Sequence, residues 1–260
     1  MRFSWRSSLR RLWLPAVAGV VLLGIWFGGL AWSTDAGIRT FEARTVSDYT
    51  RPADPQPWRA VRFFAEPDSY CWLTYARDLR ASNRWRLRFT RADNAPAGRE
   101  MHWSHLPLWS LAGLSAAWET GGAPPPLALE LAGRSLMPLF GWLFFSAFFL
   151  LLGPRLGWRL ATLVTAVMVT ALHWNYHTLR PDHHGFQLAA SIGMWLGLLL
   201  GGMGGIRSGT PPPPAASAWP AESSARRWMI FSGLCGGIGL WLGATVFWFS
   251  LAASAAGAAA

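Results

Sequence analysis

Apolar residues along this chain are gathered into long runs separated by polar stretches. Windows of about 20 residues select five runs that have the length and composition of transmembrane helices, at residues 12–32, 127–152, 158–174, 186–205 and 228–251. A sixth apolar stretch, residues 106–118, is too short to cross a bilayer and is expected to lie on the membrane or to pack within its loop. The pattern predicts an all-α polytopic membrane protein with about five transmembrane helices.

The polar segments between the runs predict the orientation. They are a basic tail at 1–11, a long loop at 33–126, a short loop at 175–185 and a Pro-rich linker at 206–227. Arginines concentrate in the tail, in the short connection near Arg155 and in the linker, which fall on one side if five helices alternate. We therefore expect a multi-pass protein of the inner (cytoplasmic) membrane, with a cytoplasmic N-terminus and with loops 33–126 and 175–185 external.

The composition is that of a membrane protein, and it changes how the net positive charge of the chain is interpreted. Hydrophobic residues make up 52% of the 260 positions, only 14% are charged, and the formal net charge is +10. All the basic residues are Arg, and most of them flank the apolar runs, so topology explains them without nucleic-acid binding. Because residues 251–260 drift into Ala, Ser and Gly, we expect a chain truncated after its fifth helix, with a small complete protein as the alternative.

The short external loop holds the most informative residues, Asp182-His183-His184. Ionisable groups at the edge of a bilayer are costly and mostly persist for function. An ionised carboxylate with two neutral imidazoles suits a divalent cation. The alternative is a hydrogen-bonded cluster at the membrane interface.

A second acidic position, Asp68, lies in the long loop on the same predicted face. Pro67 fixes its own φ and favours an extended Glu66, so a helix is expected to begin near Asp68. Asp68 is then either only the N-cap of that helix or a partner of Asp182. Two carboxylates and an imidazole would hold a divalent ion, which would neutralise a phosphate-linked leaving group.

An acidic residue in the first external loop, followed by Asp-His-His after the third helix, resembles the catalytic subunits of oligosaccharyltransferases, the archaeal type above all. Those enzymes have the GT-C fold and take sugars from polyprenyl-(pyro)phosphate carriers. The resemblance implies a glycosyltransferase in which Asp68, Asp182 and His184 bind Mn²⁺ or Mg²⁺, with Asp68 also catalytic through its contact with the acceptor. His183 is the less favoured ligand. The implied partners are the polyprenyl-linked donor and membrane lipid, with the acceptor unspecified.

Four further residues are candidates for substrate binding. His102 and Trp103, together with the neighbouring His105, would line a sugar or polyprenyl-phosphate pocket, or would anchor the loop at the headgroup level. Arg99 and Arg180 offer planar forks for a pyrophosphate, although exposed or headgroup-bound arginines are an equal alternative.

Two other functions remain open because the resemblance covers only the first five helices of the family's fold. The family's later helices, its later acidic ligand and its soluble domain are missing from this sequence, which leaves an inactive fragment as one alternative. A non-enzymatic transporter or flippase is the other, although the apolar runs are almost free of ionisable residues. Glu130 and Arg134 are expected to pair along one helix face, and the aromatic residues of 140–149 to face lipid.

Overall fold

The computed structural model describes residues 5–46, 64, 66–205 and 222–259. Helix accounts for 81% of the structure. Among the described residues, three helices are long and apolar enough to cross a membrane, at Trp13–Gly37, Pro125–Leu156 and His184–Gly202. The expectation of an all-α membrane protein is confirmed at this level.

The first helix is longer than the apolar pattern predicts. Helix α1 runs over Trp5–Val46 and contains the expected 12–32 span; its candidate membrane span among the described residues is Trp13–Gly37. The backbone continues as helix into the start of the expected loop because a helix needs no apolar face to extend through residues such as Ala36, Arg39 and Glu42. Residues 47–63, in the first third of the expected loop 33–126, lie outside the described residues.

The other expected crossings fall on helices with different lengths. Helix α4, Pro125–Leu156, contains the expected 127–152 span, and α6, His184–Gly205, contains 186–205. Helix α5, Trp158–Leu172, has 15 residues and is followed by a 3₁₀ turn at His173–Tyr176. Helix α7, Glu222–Ala259, contains the expected 228–251 span but is interrupted at Gly243. The expected linker lies outside the described residues over 206–221, and its last six positions are helical.

The chain forms two compact units. The first comprises Met1–Ala147 and Ala166–Asp182, and the second comprises Phe148–Thr165 and His183–Ala260.

Aromatic side chains form the core of the first unit. Phe145 is fully buried, with its ring centroid 5.9 Å from that of Phe27 and 5.3 Å from that of Tyr176. Gly141 allows this approach, since a Cβ there would come within 2.9 Å of both Phe27 and Tyr176. The prediction that the aromatic residues of 140–149 face lipid is therefore wrong for Phe145, because helix spacing turns part of such a run towards its neighbours.

A charged group links α1 and α4 inside this unit. Arg134 on α4 is buried, pairs with Asp35 on α1, and lies 3.5 Å from Glu130 one turn earlier on its own helix. The expected Glu130–Arg134 pair is thus confirmed, and Asp35 is a partner that helical spacing alone does not reveal. The hydroxyl of Thr178 donates to the backbone oxygen of Arg134 over 2.6 Å, which fastens the start of the short loop to α4.

The long loop folds into two helices and a short hairpin. Helix α2, Pro67–Ser82, packs on α3, Leu106–Thr120, and Arg80 of α2 binds Glu119 of α3 through two contacts of 2.6 and 2.7 Å. Strands β1, Phe89–Thr90, and β2, Arg99–Glu100, pair between them. The apolar stretch 106–118 therefore packs within its loop, which confirms one of the two alternatives expected for it.

Helix packing in the second unit depends on glycines along one face of α6. A Cβ on Gly193, Gly197 or Gly201 would lie within 3.0 Å of Cys235, Ser232 or Met229 of α7, respectively. The hydroxyl of Ser232 donates to the backbone oxygen of Met194 over 2.8 Å. Small residues at this spacing let two helices approach closely, which is how α6 and α7 pack.

Candidate metal centre

The first turn of α2 positions one side of the candidate site. Glu66 is extended, with φ −150° and ψ 154°, and Pro67 occupies the first helical position, as the Glu-Pro sequence predicts. Asp68 lies one residue further on, exposed and inside the first turn. It is therefore not the N-cap, because the helix starts one residue earlier and Glu66 holds that position. A carboxylate in the first turn is still favoured by the partial positive charge of the helix end.

Three contacts join α2 and the residue before it to residues 179–182, the segment that precedes the histidine pair. The indole N–H of Trp72 donates to Asp182 Oδ1 over 2.9 Å, and both residues are buried. Arg180 Nε donates to Glu66 Oε1 over 2.6 Å. The hydroxyl of Ser69 lies 3.5 Å from the backbone oxygen of Leu179. Segments more than a hundred residues apart in sequence thus meet in the first unit.

Asp68 and Trp72 lie on the same face of α2. They are four residues apart, and side chains at this spacing lie one above the other on a helix. The Asp68 carboxylate is exposed and is not one of the ligand atoms that gather at the triplet, so its approach to Asp182 stays a prediction.

The triplet itself is a compact set of donor atoms. One ligand atom from each of Asp182, His183 and His184 lies within 4.8 Å of the others, a grouping that follows from three consecutive residues. The two imidazole rings meet edge to face, with centroids 4.4 Å apart. His183 is buried and His184 is half-buried at the first residue of α6. Both histidines belong to the group, so the preference for His184 as ligand stays a prediction.

The donor set fits a divalent ion and favours Mn²⁺ over Mg²⁺. One carboxylate and two imidazoles match the ligand preference of a borderline cation, whereas Mg²⁺ prefers oxygen ligands and retains much of its water. Trp72 already holds one oxygen of Asp182, which is the kind of outer contact that orients a metal-binding carboxylate.

Arg180 is the one cation in this group, and its charge works against a metal. Its Nη2 atom lies 3.9 Å from Asp182 Oδ2, while its Nε atom binds Glu66. The single guanidinium of Arg180 thus lies beside two carboxylates, those of Glu66 and Asp182.

The structure places the four substrate candidates at different points around α2. Trp103 is half-buried, with its ring centroid 6.0 Å from that of Trp72, and His102 is exposed with its ring 4.5 Å from Trp103. Trp103 is therefore next to the residue that binds Asp182. Arg99 is in β2 and pairs with Asp93 over 2.5 Å, and Asp93 also accepts from the Tyr75 hydroxyl.

His105 supports the fold of the loop rather than lining a ligand pocket. Its Nε2 atom lies 2.9 Å from the backbone oxygen and 3.1 Å from the backbone nitrogen of Leu87. Burial lowers the pKa of His105 below its ordinary value, so this ring is held neutral at physiological pH. It fastens the segment before β1 to the start of α3.

Sequence reasoning missed Glu66 and Trp72 as parts of this site. Trp72 carries a weak signal, since it follows Asp68 by one helical turn. Glu66 carries none beyond its place before Pro67, because its partner Arg180 is more than a hundred residues away.

Comparison of this chain with models of protein families, with curated proteins and with solved structures found no match. The functional argument therefore depends on the residues and geometry described above.

Proposed function

We propose that this protein transfers a glycosyl group from a polyprenyl-(pyro)phosphate-linked donor to an acceptor, in a metal-dependent reaction at the non-cytoplasmic face of the inner membrane. The observation that carries the proposal is the hydrogen bond from Trp72 to Asp182. It joins α2, whose first turn carries Asp68, to the ligand-rich segment that ends in the two histidines. The motif resemblance to oligosaccharyltransferases supplies the reaction class, and helices that are able to span a membrane give a lipid-linked donor a place to bind.

The proposed ligands are Asp68, Asp182 and His184, with Mn²⁺ preferred by the donor set. A bound divalent ion would supply positive charge to the phosphate leaving group, which is the part of this reaction that water performs poorly. Asp68, which is exposed in the first turn of α2, would orient or deprotonate the acceptor.

The residues proposed to bind substrate differ in how close their contacts bring them to the proposed metal ligands. Arg180 is part of it, and its guanidinium would contact the (pyro)phosphate after exchanging its contact with Glu66. Trp103 and its neighbour His102 would face the sugar, since they continue the aromatic surface from Trp72. Arg99 is the most remote by its contacts, because its guanidinium is paired with Asp93.

Donor turnover in proteoliposomes tests the proposal. The purified full chain would be reconstituted with radiolabelled polyprenyl-diphosphate-linked sugar, with water as the acceptor of the glycosyl group. Loss of label from the lipid fraction would be followed with Mn²⁺ or with EDTA. We expect turnover that requires Mn²⁺, is abolished by Asp182→Asn, and is retained by Asp78→Asn, whose carboxylate contacts the neighbouring Arg77. Equal turnover by the Asp182→Asn protein, or turnover in EDTA, would exclude the proposed role.

Transport is the second candidate, and one observation favours it. Arg134, Asp35 and Glu130 form a charged group between two candidate membrane spans, and ionisable residues in such helices often mark an ion or proton path. The same vesicles loaded with a pH-sensitive dye separate the two functions. Proton or metal flux that is lost in Arg134→Gln, without donor turnover in the unmodified protein, would favour transport.

A further inference from the structure

A recess in the long loop lies between the end of α2 and the first half of α3. Its volume is about 470 Å³, and its walls include Arg80, Arg84, Trp85 and Trp109. None of these residues belongs to the group around Asp182, and all of them are in the first unit.

The aromatic wall of this recess is held by hydrogen bonds although it is exposed. The rings of Trp85 and Trp109 have centroids 6.1 Å apart with an interplanar angle of 32°. The indole N–H of Trp109 donates to the backbone oxygen of Trp85 over 2.7 Å, and His105 fastens Leu87 two residues later. Trp85 is nevertheless 72% exposed. A large ring presented on a fixed backbone is suited to contact a ligand or a membrane surface.

The charge of the recess comes from Arg84. Arg80 binds both carboxylate oxygens of Glu119, so its charge is balanced within the fold. Within the described part of the chain the guanidinium of Arg84 makes no hydrogen bond or ion pair. The eight residues that begin at Arg84 include Arg86, Arg88 and Arg91 and contain no acidic residue. The recess therefore favours an anion.

A contact between α3 and α4 places the recess beside a membrane span. The indole N–H of Trp118, near the end of α3, donates to Ser135 Oγ over 3.2 Å. Ser135 is the eleventh residue of α4, one of the candidate spans. The end of α3 thus contacts the N-terminal part of this candidate span, and tryptophans beside the end of a membrane helix are typical of the level of the lipid phosphates.

We propose that this recess binds the phosphate headgroup of an anionic phospholipid. Arg84 contacts the phosphate, for which the planar guanidinium is well suited, and Trp85 and Trp109 lie at the headgroup level. The arginines that follow Arg84 attract the anionic surface. This site is separate from the metal centre and does not depend on glycosyl transfer.

Native mass spectrometry of the full chain in a non-ionic detergent tests the site, with phosphatidylglycerol and phosphatidylcholine as probes. We expect phosphatidylglycerol to bind more tightly than phosphatidylcholine, with or without Mn²⁺ and equally in Asp182→Asn. Arg84→Gln should weaken phosphatidylglycerol binding about fivefold, as expected for one arginine at an anionic surface. Trp85→Leu should weaken it as well.

Arg91→Gln is the matched control, because Arg91 is exposed in the same basic stretch but does not line the recess. An equal loss in Arg84→Gln and Arg91→Gln, or equal binding of the two lipids, would overturn the proposal in favour of a diffuse surface charge. Soluble glycerol phosphate distinguishes the source of the phosphate. If it binds as tightly as phosphatidylglycerol, the recess recognises a free phosphate compound and the lipid assignment is wrong.

Discussion

Trp72 and Asp182 form the contact on which the candidate site depends most. Both are buried, the indole N–H donates to a carboxylate oxygen, and that carboxylate belongs to the only metal-ligand group found among the described residues. A hydrogen bond to a charged acceptor fixes the orientation of the carboxylate and is stronger than a bond between neutral groups.

We therefore expect Trp72→Phe to weaken Mn²⁺ binding by about tenfold, the lower end of the range for loss of an outer contact to a metal ligand. Phenylalanine keeps an aromatic ring at this position but removes the indole N–H and part of the buried indole volume. Electron paramagnetic resonance of free Mn²⁺, titrated with the purified protein, measures the affinity. Trp85→Phe is the control, because Trp85 is exposed and lies outside this site. Unchanged affinity in Trp72→Phe would show that the indole does not support a metal ligand.

Arg134 is the residue whose loss should cost the most stability. It is buried between the carboxylates of Asp35 and Glu130, which would be left without their shared cation. We expect Arg134→Gln to lower the free energy of unfolding by about 3 kcal/mol, as is usual when one partner of a buried ion pair is removed. Thermal unfolding in detergent measures the change.

The control for Arg134 is Arg77→Gln, since Arg77 pairs with the adjacent Asp78 at the surface. Its effect should stay within about 0.5 kcal/mol. The double variant Arg134→Gln/Asp35→Asn should recover part of the loss, because it also removes one of the uncompensated carboxylates. If Arg134→Gln unfolds at the same temperature as the unmodified protein, the charged group has no structural role.

At the scale of elements, the packing of α6 against α7 depends on the absence of side chains. A Cβ on Gly197 would lie 2.8 Å from Ser232 Cβ and 2.9 Å from its Cα, whereas a Cβ on Gly202 would have nothing within 4 Å. These two glycines are five residues apart on one helix. They therefore form a matched pair.

We expect Gly197→Ala to destabilise the protein by about 1–3 kcal/mol, the usual cost of adding volume to a filled interface. Gly202→Ala should be neutral or stabilising, because alanine favours helix over glycine. Unfolding by sodium dodecyl sulfate, followed by circular dichroism, compares the two. Similar midpoints for both variants would show that α6 and α7 do not pack closely at Gly197.

The elements also show which parts of the fold could be predicted from the sequence. The start of α2 follows from Glu66-Pro67, and the bodies of α4 and α6 follow from their apolar runs, since these signals are local. The hairpin was missed although its turn composition was visible. Gly98, with φ +72°, permits the close approach of Phe89 there, where any Cβ would clash at 2.5 Å. The Glu66–Arg180 and Trp72–Asp182 contacts were not predictable, because no local pattern encodes partners so far apart.

For the whole molecule, the Trp72–Asp182 hydrogen bond constrains the number of membrane crossings. If the chain spans a bilayer, the two joined residues lie on one side of it, so an even number of crossings separates them. Helix α4 is a candidate for one crossing, and α3 is bound to α2 through Arg80 and Glu119 within the loop. We therefore predict that α5 is the second crossing.

Helix α5 is short for this task. Its 15 residues extend about 22 Å, less than the roughly 30 Å of a typical hydrocarbon core. The 3₁₀ turn at His173–Tyr176 adds length, and Trp158, Arg159 and Trp174 flank the apolar segment as interfacial residues do. Local thinning of the bilayer accommodates a mismatch of this size at modest cost. The third expected span, 158–174, stays a prediction, because it is shorter than the helices that are recognised by length; the Trp72–Asp182 contact favours it.

Cysteine labelling tests this crossing in a background that carries Cys71→Ser and Cys235→Ser. Single cysteines at Ser82, Asn175 and Arg155 would report the long loop, the short loop and the connection between α4 and α5, respectively. If α5 crosses, a membrane-impermeant maleimide should label positions 82 and 175 in intact spheroplasts, and position 155 only after lysis, because an odd number of crossings separates 155 from the other two. Labelling of 82 and 155 from opposite sides, with 175 on the side of 155, would mean that α5 does not cross. The long loop would then be separated from Asp182 by the bilayer, and the proposed metal centre could not form.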